Sequence, residues 1–235
     1  MKEAQGSFIS WLAYSNANQA GRVAEMSEPR RKLARQVDDI PLCVPHLTGK
    51  EKIYLHQCLE SGWLSSAGPF VQRFEQQFRQ VIKAPYAVAT ASGTSALHIA
   101  LLVAGVQPDD EVLVSAMTFI APANAIRYAG AWPIFIDAEP TYWQMDPEAV
   151  TRFIHTTCSV RDGRLINKQT QRRIAAILPV HIVGHPVHME PILELARNYE
   201  IPVIEDASEG LGASYQAQSV GRLGDIACLV SMGIS

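Results

Sequence analysis

The sequence lacks both a hydrophobic run long enough to cross a membrane and a large excess of charge of either sign. The longest apolar patch near the N-terminus is FISWLAY, residues 8–14, whereas a membrane-spanning helix needs roughly 20 residues. This patch also lacks the cationic start and the small-residue cleavage site of a signal peptide. The net charge is −3, which does not suggest nucleic acid or an anionic membrane as a partner. We therefore expect a cytoplasmic protein with neither kind of partner.

Cysteines and glycine-rich phosphate loops are also scarce. The stretch ASGTSA, residues 91–96, carries one glycine, whereas a Walker loop or a dinucleotide fingerprint needs more glycines at fixed places. An even number of cysteines does not by itself imply disulfides, and a reducing cytoplasm is the expected compartment. The cysteines are scattered without paired metal-ligand spacing, at Cys43, Cys58, Cys158 and Cys228.

Apolar residues, by contrast, make up 48% of the 235 residues, enough for the core of one large domain. From residue 40 onward, five apolar β-like runs alternate with helical segments, which is typical of a mostly parallel sheet with helices on both faces. Ligands bind such sheets beyond the carboxyl ends of the strands. The runs begin at residues 86, 111, 132, 174 and 201, and the helical segments cover 94–104, 120–129, 146–155 and 188–199.

The chain divides into two parts by composition. Residues 1–39 are polar and irregular, with the basic segment EPRRKLARQ, and we expect a mobile N-terminal extension without chemistry. Residues 40–235 form the predicted α/β domain. Within it, the polar segment 156–173 is long for a connection, so it is either an exposed excursion or a functional loop.

Two strand ends carry residues that suit a planar, phosphorylated ligand. The first predicted strand runs directly into a helix at Gly93, Thr94 and Ser95, and the free N–H groups of a helix N-terminus bind phosphate. The alternative for this segment is an ordinary Ser/Thr helix cap. After the second strand, Phe119 could stack on a flat ring or pack in the core.

The fifth strand ends in carboxylates, which cost free energy at the end of a buried strand unless they have partners. Asp206 lies where it could hold the protonated ring nitrogen of pyridoxal phosphate, a cofactor that needs a carboxylate there to act as an electron sink. Glu209 could touch the ring edge or orient Asp206. Glu205 alternates to the opposite face, outside the predicted site.

The stretch HIVGHPVHM contains three histidines, His181, His185 and His188. Two of them flank a turn at Pro186, and no carboxylate stands at ligand spacing before Glu190. The pattern therefore favours a structural or substrate-contact role over a metal site, and no metal is expected.

From about residue 40 to residue 225 the sequence resembles the DegT/DnrJ/StrS-type pyridoxal-phosphate sugar aminotransferases of fold type I. The resemblance rests on the order and spacing of several stretches through most of the chain. They are IPLCVPHLTGKE, GWLSSAGPFVQRFE, ATASGTSALHIAL, DEVLVSAMTFIAPANAI, PVHIVGHPVHM and PVIEDASEGLGASY with VGRLGDIAC.

The resemblance implies pyridoxal 5′-phosphate as cofactor and assigns residues to it. Gly93 and Thr94 would hold the phosphate, Phe119 would stack on the ring and Asp206 would bind the pyridine nitrogen. Glu209 stands beside the ring where many members have Gln or His. The substrate-binding residues would be Ser65, Ser66 and His181.

The same resemblance implies a reaction. Members transfer an amino group, with glutamate as the expected donor, to a nucleotide-linked keto sugar, and they act as homodimers. The INKQTQRRIAA segment and the DASEGLGASY form look most like the branch that acts on UDP-linked 4-keto-6-deoxy-N-acetylhexosamines in nonulosonic, legionaminic-type sugar biosynthesis for surface polysaccharides.

The sequence departs from the family pattern near its end. The family continues past GDIAC with Phe, Ser-Phe and then the Schiff-base lysine, but this chain continues LVSMGIS and no lysine follows Lys168. With suitable codons, a one-base change of frame turns that tail into Ser-Phe-Asn-Gly-Asn-Lys. We therefore expect a truncated large domain, with the C-terminal small domain missing, no catalytic lysine and no activity of the chain alone. Sequencing the gene across codon 229 tests the frameshift.

Two other interpretations stay open at this point. The chain could be a non-catalytic product that binds cofactor or the subunits of a full-length enzyme. It could also be a parallel-sheet nucleotide-binding domain unrelated to pyridoxal phosphate, although the single glycine of ASGTSA does not favour that class.

Overall fold

The structure is a computed structural model that describes residues 49–65 and 68–230. The predicted N-terminal extension, residues 1–39, and the predicted substrate residue Ser66 lie outside the described residues. Across the two described ranges, no helix combines the length and the apolar character that a membrane span requires.

Helices and strands alternate along the described chain. The helices are α1 (Glu51–Ser61), α2 (Pro69–Ile82), α3 (Gly93–Val103), α4 (Ile120–Tyr128), α5 (Pro147–Thr157) and α6 (Met189–Asn198). The strands are β1 (Glu111–Ser115), β2 (Trp132–Ile136), β3 (Cys158–Arg161), β4 (Arg164–Asn167), β5 (Ile174–Leu178), β6 (Ile204–Asp206), β7 (Ser214–Tyr215), β8 (Gln218–Ser219) and β9 (Ile226–Cys228).

A parallel sheet forms the centre of the fold. Strands β2, β1 and β5 are neighbours in that order, and β6 pairs with β9, all in parallel. Two isolated parallel bridges, Ile177 to Val203 and Val180 to Asp206, continue the layer from β5 to β6. The predicted parallel sheet is therefore confirmed, with strand ends that meet at one edge.

The core lies on both faces of this sheet. Every residue of β1 is buried; Val112 and Val114 pack in the cluster that contains helices α3 and α4, whereas Leu113 packs in the cluster that contains α5 and α6. Because successive side chains of a strand point to opposite faces, this division explains why the strands are apolar throughout instead of alternating.

Local signals account for the helix boundaries near the strand ends. Ser92 caps α3, its hydroxyl oxygen accepting a hydrogen bond from the Ser95 amide. Asp146 caps α5 in the same way and Pro147 occupies the first helical position, where proline has no hydrogen bond to lose.

Two segments differ from their predictions. Residues 86–91, predicted as the first strand, are not paired as a strand in the described structure. The polar segment 156–173 contains the antiparallel hairpin β3–β4. Its turn is Asp162-Gly163, with φ of 51° and 71°, the left-handed conformation that an Asp-Gly hairpin turn adopts.

Candidate active site

Asp206 is the last residue of β6, and its side chain is buried, with 4% exposure. Ser208 donates its amide and its hydroxyl to Oδ1 of Asp206, at 3.1 and 2.5 Å. Among the described residues, no group donates to Oδ2 of Asp206. Burial raises the pKa of the Asp206 carboxyl; the Ser208 hydrogen bonds and the interaction with His181 oppose that rise, and the charge of Glu209 adds to it.

The N-terminus of α3 lies close to this carboxyl group. A Cβ placed on Gly93 would lie 3.7 Å from the Ser208 hydroxyl, which itself binds Asp206. The Ser95 amide donates to the Ser92 cap, so this segment is a capped helix, and the amides of Gly93 and Thr94 have no acceptor among the described residues. Polar donors and one half-paired carboxylate therefore meet at the same sheet edge.

Space above Gly93 is restricted by the apolar side chain of Val230. A Cβ at position 93 would collide with a Val230 methyl group, so only glycine fits there without a shift. The approach to the α3 amides is therefore narrow and apolar on the Val230 side.

Phe119 immediately precedes α4, and its ring is 77% exposed. The alternative that Phe119 is a core residue does not fit this exposure. The neighbouring hydroxyl of Thr118 is buried and has no hydrogen-bond partner within the described part of the chain. An exposed ring beside an unpaired buried hydroxyl is a costly arrangement in the protein alone, and it suits contact with a bound group.

Glu209 binds the backbone and not Asp206. Its carboxylate accepts a hydrogen bond from the Val183 amide, and its carbonyl oxygen lies 2.7 Å from the position of a Cβ on Gly184, where φ is +74°. Val183 itself has a positive φ of 58°, an uncommon conformation for a β-branched residue. Glu209 therefore secures the turn after β5, at a place where its charge still acts on Asp206.

His181 lies in the interior, with its side chain fully shielded. Its Nδ1 accepts a hydrogen bond from the Val187 amide at 3.0 Å, which assigns the proton to Nε2 and makes Nε2 the donor to Glu205, also at 3.0 Å. Both ring nitrogens are used inside the protein, so this geometry supports the structural role for His181 and leaves no ring atom for a substrate.

Glu205 is the centre of a hydrogen-bond cluster that sequence reasoning missed. Besides His181, three backbone amides of the loop before β9 donate to its carboxylate, at 2.7–3.0 Å: those of Gly221, Leu223 and Gly224. Backbone amides that converge on one point bind anions, and here the anion is the protein's own side chain. The glycines of VGRLGD were the available signal, but their contact with Glu205 depends on tertiary folding.

The remaining predicted residues lie in other places. Ser65 is exposed in the connection between α1 and α2. His185 stacks on Tyr142 with ring centroids 4.4 Å apart, and His188 lies beside Tyr215. Within residues 49–65 and 68–230, no three His, Cys, Asp or Glu side chains are grouped in a way that could hold a metal ion.

The model of the DegT/DnrJ/EryC1/StrS aminotransferase family matches residues 45–231, which include every strand and helix described above. The chain belongs to this family. Its cofactor is pyridoxal phosphate, and its fold is that of the large domain of fold-type-I aminotransferases.

Relatives and solved structures agree with this assignment. GDP-perosamine synthase of Escherichia coli O157:H7 is 42% identical over 194 residues, which are 83% of this chain and 49% of that protein. The pyridoxal phosphate-dependent aminotransferase EpsN of Bacillus subtilis is 37% identical over 79% of this chain and 45% of its own. The structure of 3-amino-5-hydroxybenzoic acid synthase superposes with a TM-score of 0.70 at 31% identity, over 83% of this chain and 47% of that one. The chain thus spans about half the length of the relatives it matches.

The residues present fit this cofactor. A protonated ring nitrogen would supply both the positive charge and the donor that the Oδ2 atom of the desolvated Asp206 carboxylate lacks. Phe119 offers an exposed ring face, and the first amides of α3 are free to bind an anion. When bound, pyridoxal phosphate supplies the electron sink for transamination.

Proposed function

We propose that this chain provides the cofactor-binding half of a sugar aminotransferase that transfers an amino group from glutamate to a nucleotide-linked 4-keto-6-deoxy sugar in polysaccharide biosynthesis. One observation carries the proposal: a buried carboxylate, Asp206, has one oxygen paired by Ser208 and the other free, beside the amides of α3. In that position Asp206 keeps the cofactor ring protonated, Phe119 supports the ring face, and Gly93 and Thr94 hold the phosphate.

The nucleotide on the sugar has two candidates. The sequence resemblance favours a UDP-linked 4-keto-6-deoxy-N-acetylhexosamine. The names of three relatives favour GDP, because proteins of Escherichia coli, Caulobacter vibrioides and Vibrio cholerae at 42%, 38% and 34% identity are all GDP-perosamine synthases. The homodimer and the substrate contacts of Ser65 and Ser66 belong to the same proposal.

We further propose that the 235-residue polypeptide alone binds the cofactor but does not transfer amino groups. Transamination needs a lysine at the cofactor, both as nucleophile and as proton carrier. The described lysines lie elsewhere: Lys50 precedes α1, Lys52 lies in its first turn, Lys83 ends α2 and Lys168 follows β4. Loss of such a nucleophile costs orders of magnitude in rate.

Calorimetric titration of the purified chain with pyridoxamine 5′-phosphate tests the site. We expect Asp206→Asn to weaken binding by about 100-fold, because a hydrogen bond to a charged group contributes up to about 3 kcal/mol. Asp109→Asn is the matched control, since Asp109 is exposed before β1, at the opposite edge of the sheet. Equal affinity of the two variants would contradict the assignment of Asp206.

The substrate class is tested separately, on the cofactor-loaded chain, by saturation-transfer NMR with GDP-linked and UDP-linked sugars as parallel samples. Preference for one nucleotide selects between the two candidates. Incubation with ¹⁵N-glutamate and each keto sugar, followed by mass spectrometry, tests activity. Appearance of ¹⁵N-amino sugar with the 235-residue chain alone would refute the proposed inactivity.

A further inference from the structure

Ser208 supplies both hydrogen bonds that the Asp206 carboxyl group receives within the described part of the chain. Its amide and its hydroxyl donate to the same oxygen, Oδ1, at 3.1 and 2.5 Å. The shorter distance is typical of a hydroxyl that donates to an ionised carboxylate. The terminal torsion of an aspartate side chain is otherwise broad, so two donors on one oxygen fix the carboxyl plane. Oδ2 is therefore the atom that Asp206 presents to a ligand.

The backbone around Ser208 is held without the serine hydroxyl. The Ala207 amide donates to the Cys228 carbonyl of β9 at 2.8 Å, and the Gly210 amide donates to the Ala207 carbonyl at 2.9 Å. The bond from the Ser208 amide to Asp206 is available to any residue except proline at this position. The hydroxyl is the one contribution that depends on serine, and it is directed to the carboxyl group and not to the turn.

This hydroxyl also favours the charged form of a buried acid. Burial raises the pKa of the Asp206 carboxyl; the Ser208 hydrogen bonds come first among the contacts that lower it, ahead of the charge of His181, whereas the charge of Glu209 raises it further. The charge matters for the partner: a carboxylate accepts the proton of a protonated ring nitrogen, whereas a neutral carboxyl group donates its own.

A phosphate-binding role for Ser208 is the alternative, because the hydroxyl also lies near the N-terminus of α3. A Cβ placed on Gly93 would lie 3.7 Å from the Ser208 oxygen. A hydroxyl has a single proton to donate, and here that proton goes to Asp206. What the Ser208 oxygen offers to an approaching anion is lone pairs, which repel it. The geometry therefore supports a role toward Asp206 and not toward a phosphate.

We propose that Ser208 is a positioning residue, whose hydroxyl holds Oδ1 of Asp206 so that Oδ2, in its charged form, faces the ring nitrogen of the cofactor. This inference rests on the proposed function, because it concerns the same carboxyl group. Ser208 acts on the ring nitrogen only through Asp206. Its contribution to binding should therefore depend on the presence of that nitrogen in the ligand, which a purely structural role would not require.

Calorimetric titration with two ligands tests this dependence. One is pyridoxamine 5′-phosphate, and the other is its 1-deaza analogue, in which a C–H group replaces the ring nitrogen. We expect Ser208→Ala to weaken binding of pyridoxamine 5′-phosphate by about tenfold, because a hydrogen bond to a charged group is lost, and to leave binding of the analogue unweakened. Ser208→Thr keeps the hydroxyl and should retain the preference of the parent chain. Ser214→Ala, at an exposed serine of β7, is the matched control.

Nitrogen NMR gives a second readout at the atom itself. In a complex with pyridoxamine 5′-phosphate that carries ¹⁵N in the ring, Ser208→Ala should move the ring-nitrogen resonance toward its unprotonated position at constant pH, since the acid then holds the shared proton more strongly. Circular dichroism verifies folding. If Ser208→Ala does not fold, Ser208→Cys replaces it, because a thiol fills the same place and is a weak donor.

The two ligands also separate the possible failures. Equal losses for both ligands in Ser208→Ala would assign Ser208 to the structure of the turn, and an unchanged resonance would show that it does not act on the ring nitrogen; either result overturns the inference. A preference of the parent chain for pyridoxamine 5′-phosphate that persists in Ser208→Ala contradicts this inference alone. Equal binding of both ligands by the parent chain contradicts the role of Asp206, and with it the proposed function.

Discussion

The two sides of the carboxyl end of β6 carry neighbouring acids with opposite environments. On one side, Glu205 is fully buried and accepts hydrogen bonds from His181 and three backbone amides. On the other side, Asp206 is almost as buried, yet its donors all come from Ser208 and reach one oxygen. The saturated carboxylate holds the fold together, whereas the half-paired one has an oxygen that can still accept a hydrogen bond, a feature typical of functional sites.

The largest effect in this comparison is expected for Glu205→Gln. The amide group of Gln would oppose backbone donors in a fully buried site, and breaking such a charge network costs about 3–5 kcal/mol. Urea unfolding should show this loss of stability. Glu148→Gln, an exposed acid at the start of α5, is the matched control and should change stability by less than about 0.5 kcal/mol. A comparable loss in both variants would show that the cluster around Glu205 adds nothing specific.

Substitution of Asp206 should change stability in the opposite direction from substitution of Glu205. Because burial raises the pKa of Asp206 in the folded protein, the folded state binds more protons than the unfolded state, and stability falls as pH rises from the ordinary value of 3.8 through the raised value. The incompletely paired charge of Asp206 destabilises the folded state by about 1–3 kcal/mol. Asp206→Asn removes this charge. In the absence of cofactor, the variant should therefore be more stable than the parent chain at pH 7.

The pH dependence of the stability difference is the control for this prediction. The advantage of Asp206→Asn should shrink as pH is lowered through the folded-state pKa, since the parent carboxyl then becomes neutral. Thermal unfolding from pH 4 to pH 8 measures it. If the variant is less stable at pH 7, Asp206 contributes to the fold as Glu205 does, and the contrast between the two sides fails.

Thr118 offers a smaller test of the same contrast. Its buried hydroxyl has no partner among the described residues, so Thr118→Val, which keeps the shape and removes the polar group, should stabilise the cofactor-free chain by about 1 kcal/mol. Thr151→Val is the control, because its hydroxyl donates to the Pro147 carbonyl at 2.9 Å, and it should not stabilise. A loss of stability in Thr118→Val would show that the hydroxyl already has a partner.

The sequence predicts the helices and strands around Glu205 and Asp206 better than it predicts the hydrogen-bond partners of these two acids. Strands β1, β2 and β5 and helices α3 to α6 follow from continuous apolar runs and helical periodicity, which are local signals. The location of Asp206 at a strand end could be predicted from the sequence equally well. The partners of Glu205 were not, because the amides of Gly221 and Gly224 approach it from a loop 16 to 19 residues away.

The unpaired stretch 86–90 shows the reverse case. Its composition predicts a strand, but the described structure has none there, because strand formation also depends on a neighbour that no local pattern contains. For His181 the location was predictable and the environment was not. Its position after β5 suggests an accessible residue, but in the folded structure its side chain is buried against Glu205. Local sequence therefore specifies which residues lie at the sheet edge. Tertiary packing decides which of their polar atoms remain without a partner inside the protein.

Val230→Ser is expected to have the smallest effect, and this effect concerns ligand binding alone. A methyl group of Val230 closes the space over Gly93, so an anion approaching the α3 amides loses hydration without gaining a donor on that side. Serine is smaller and adds a hydroxyl, which should tighten phosphate-group binding by less than about 1 kcal/mol, about threefold. Titration with pyridoxamine 5′-phosphate measures this, with Val183→Ser, an exposed valine in the turn after β5, as the control. Tighter binding that disappears when pyridoxamine without phosphate is used would place the phosphate at Gly93; equal gains for both ligands would place it elsewhere.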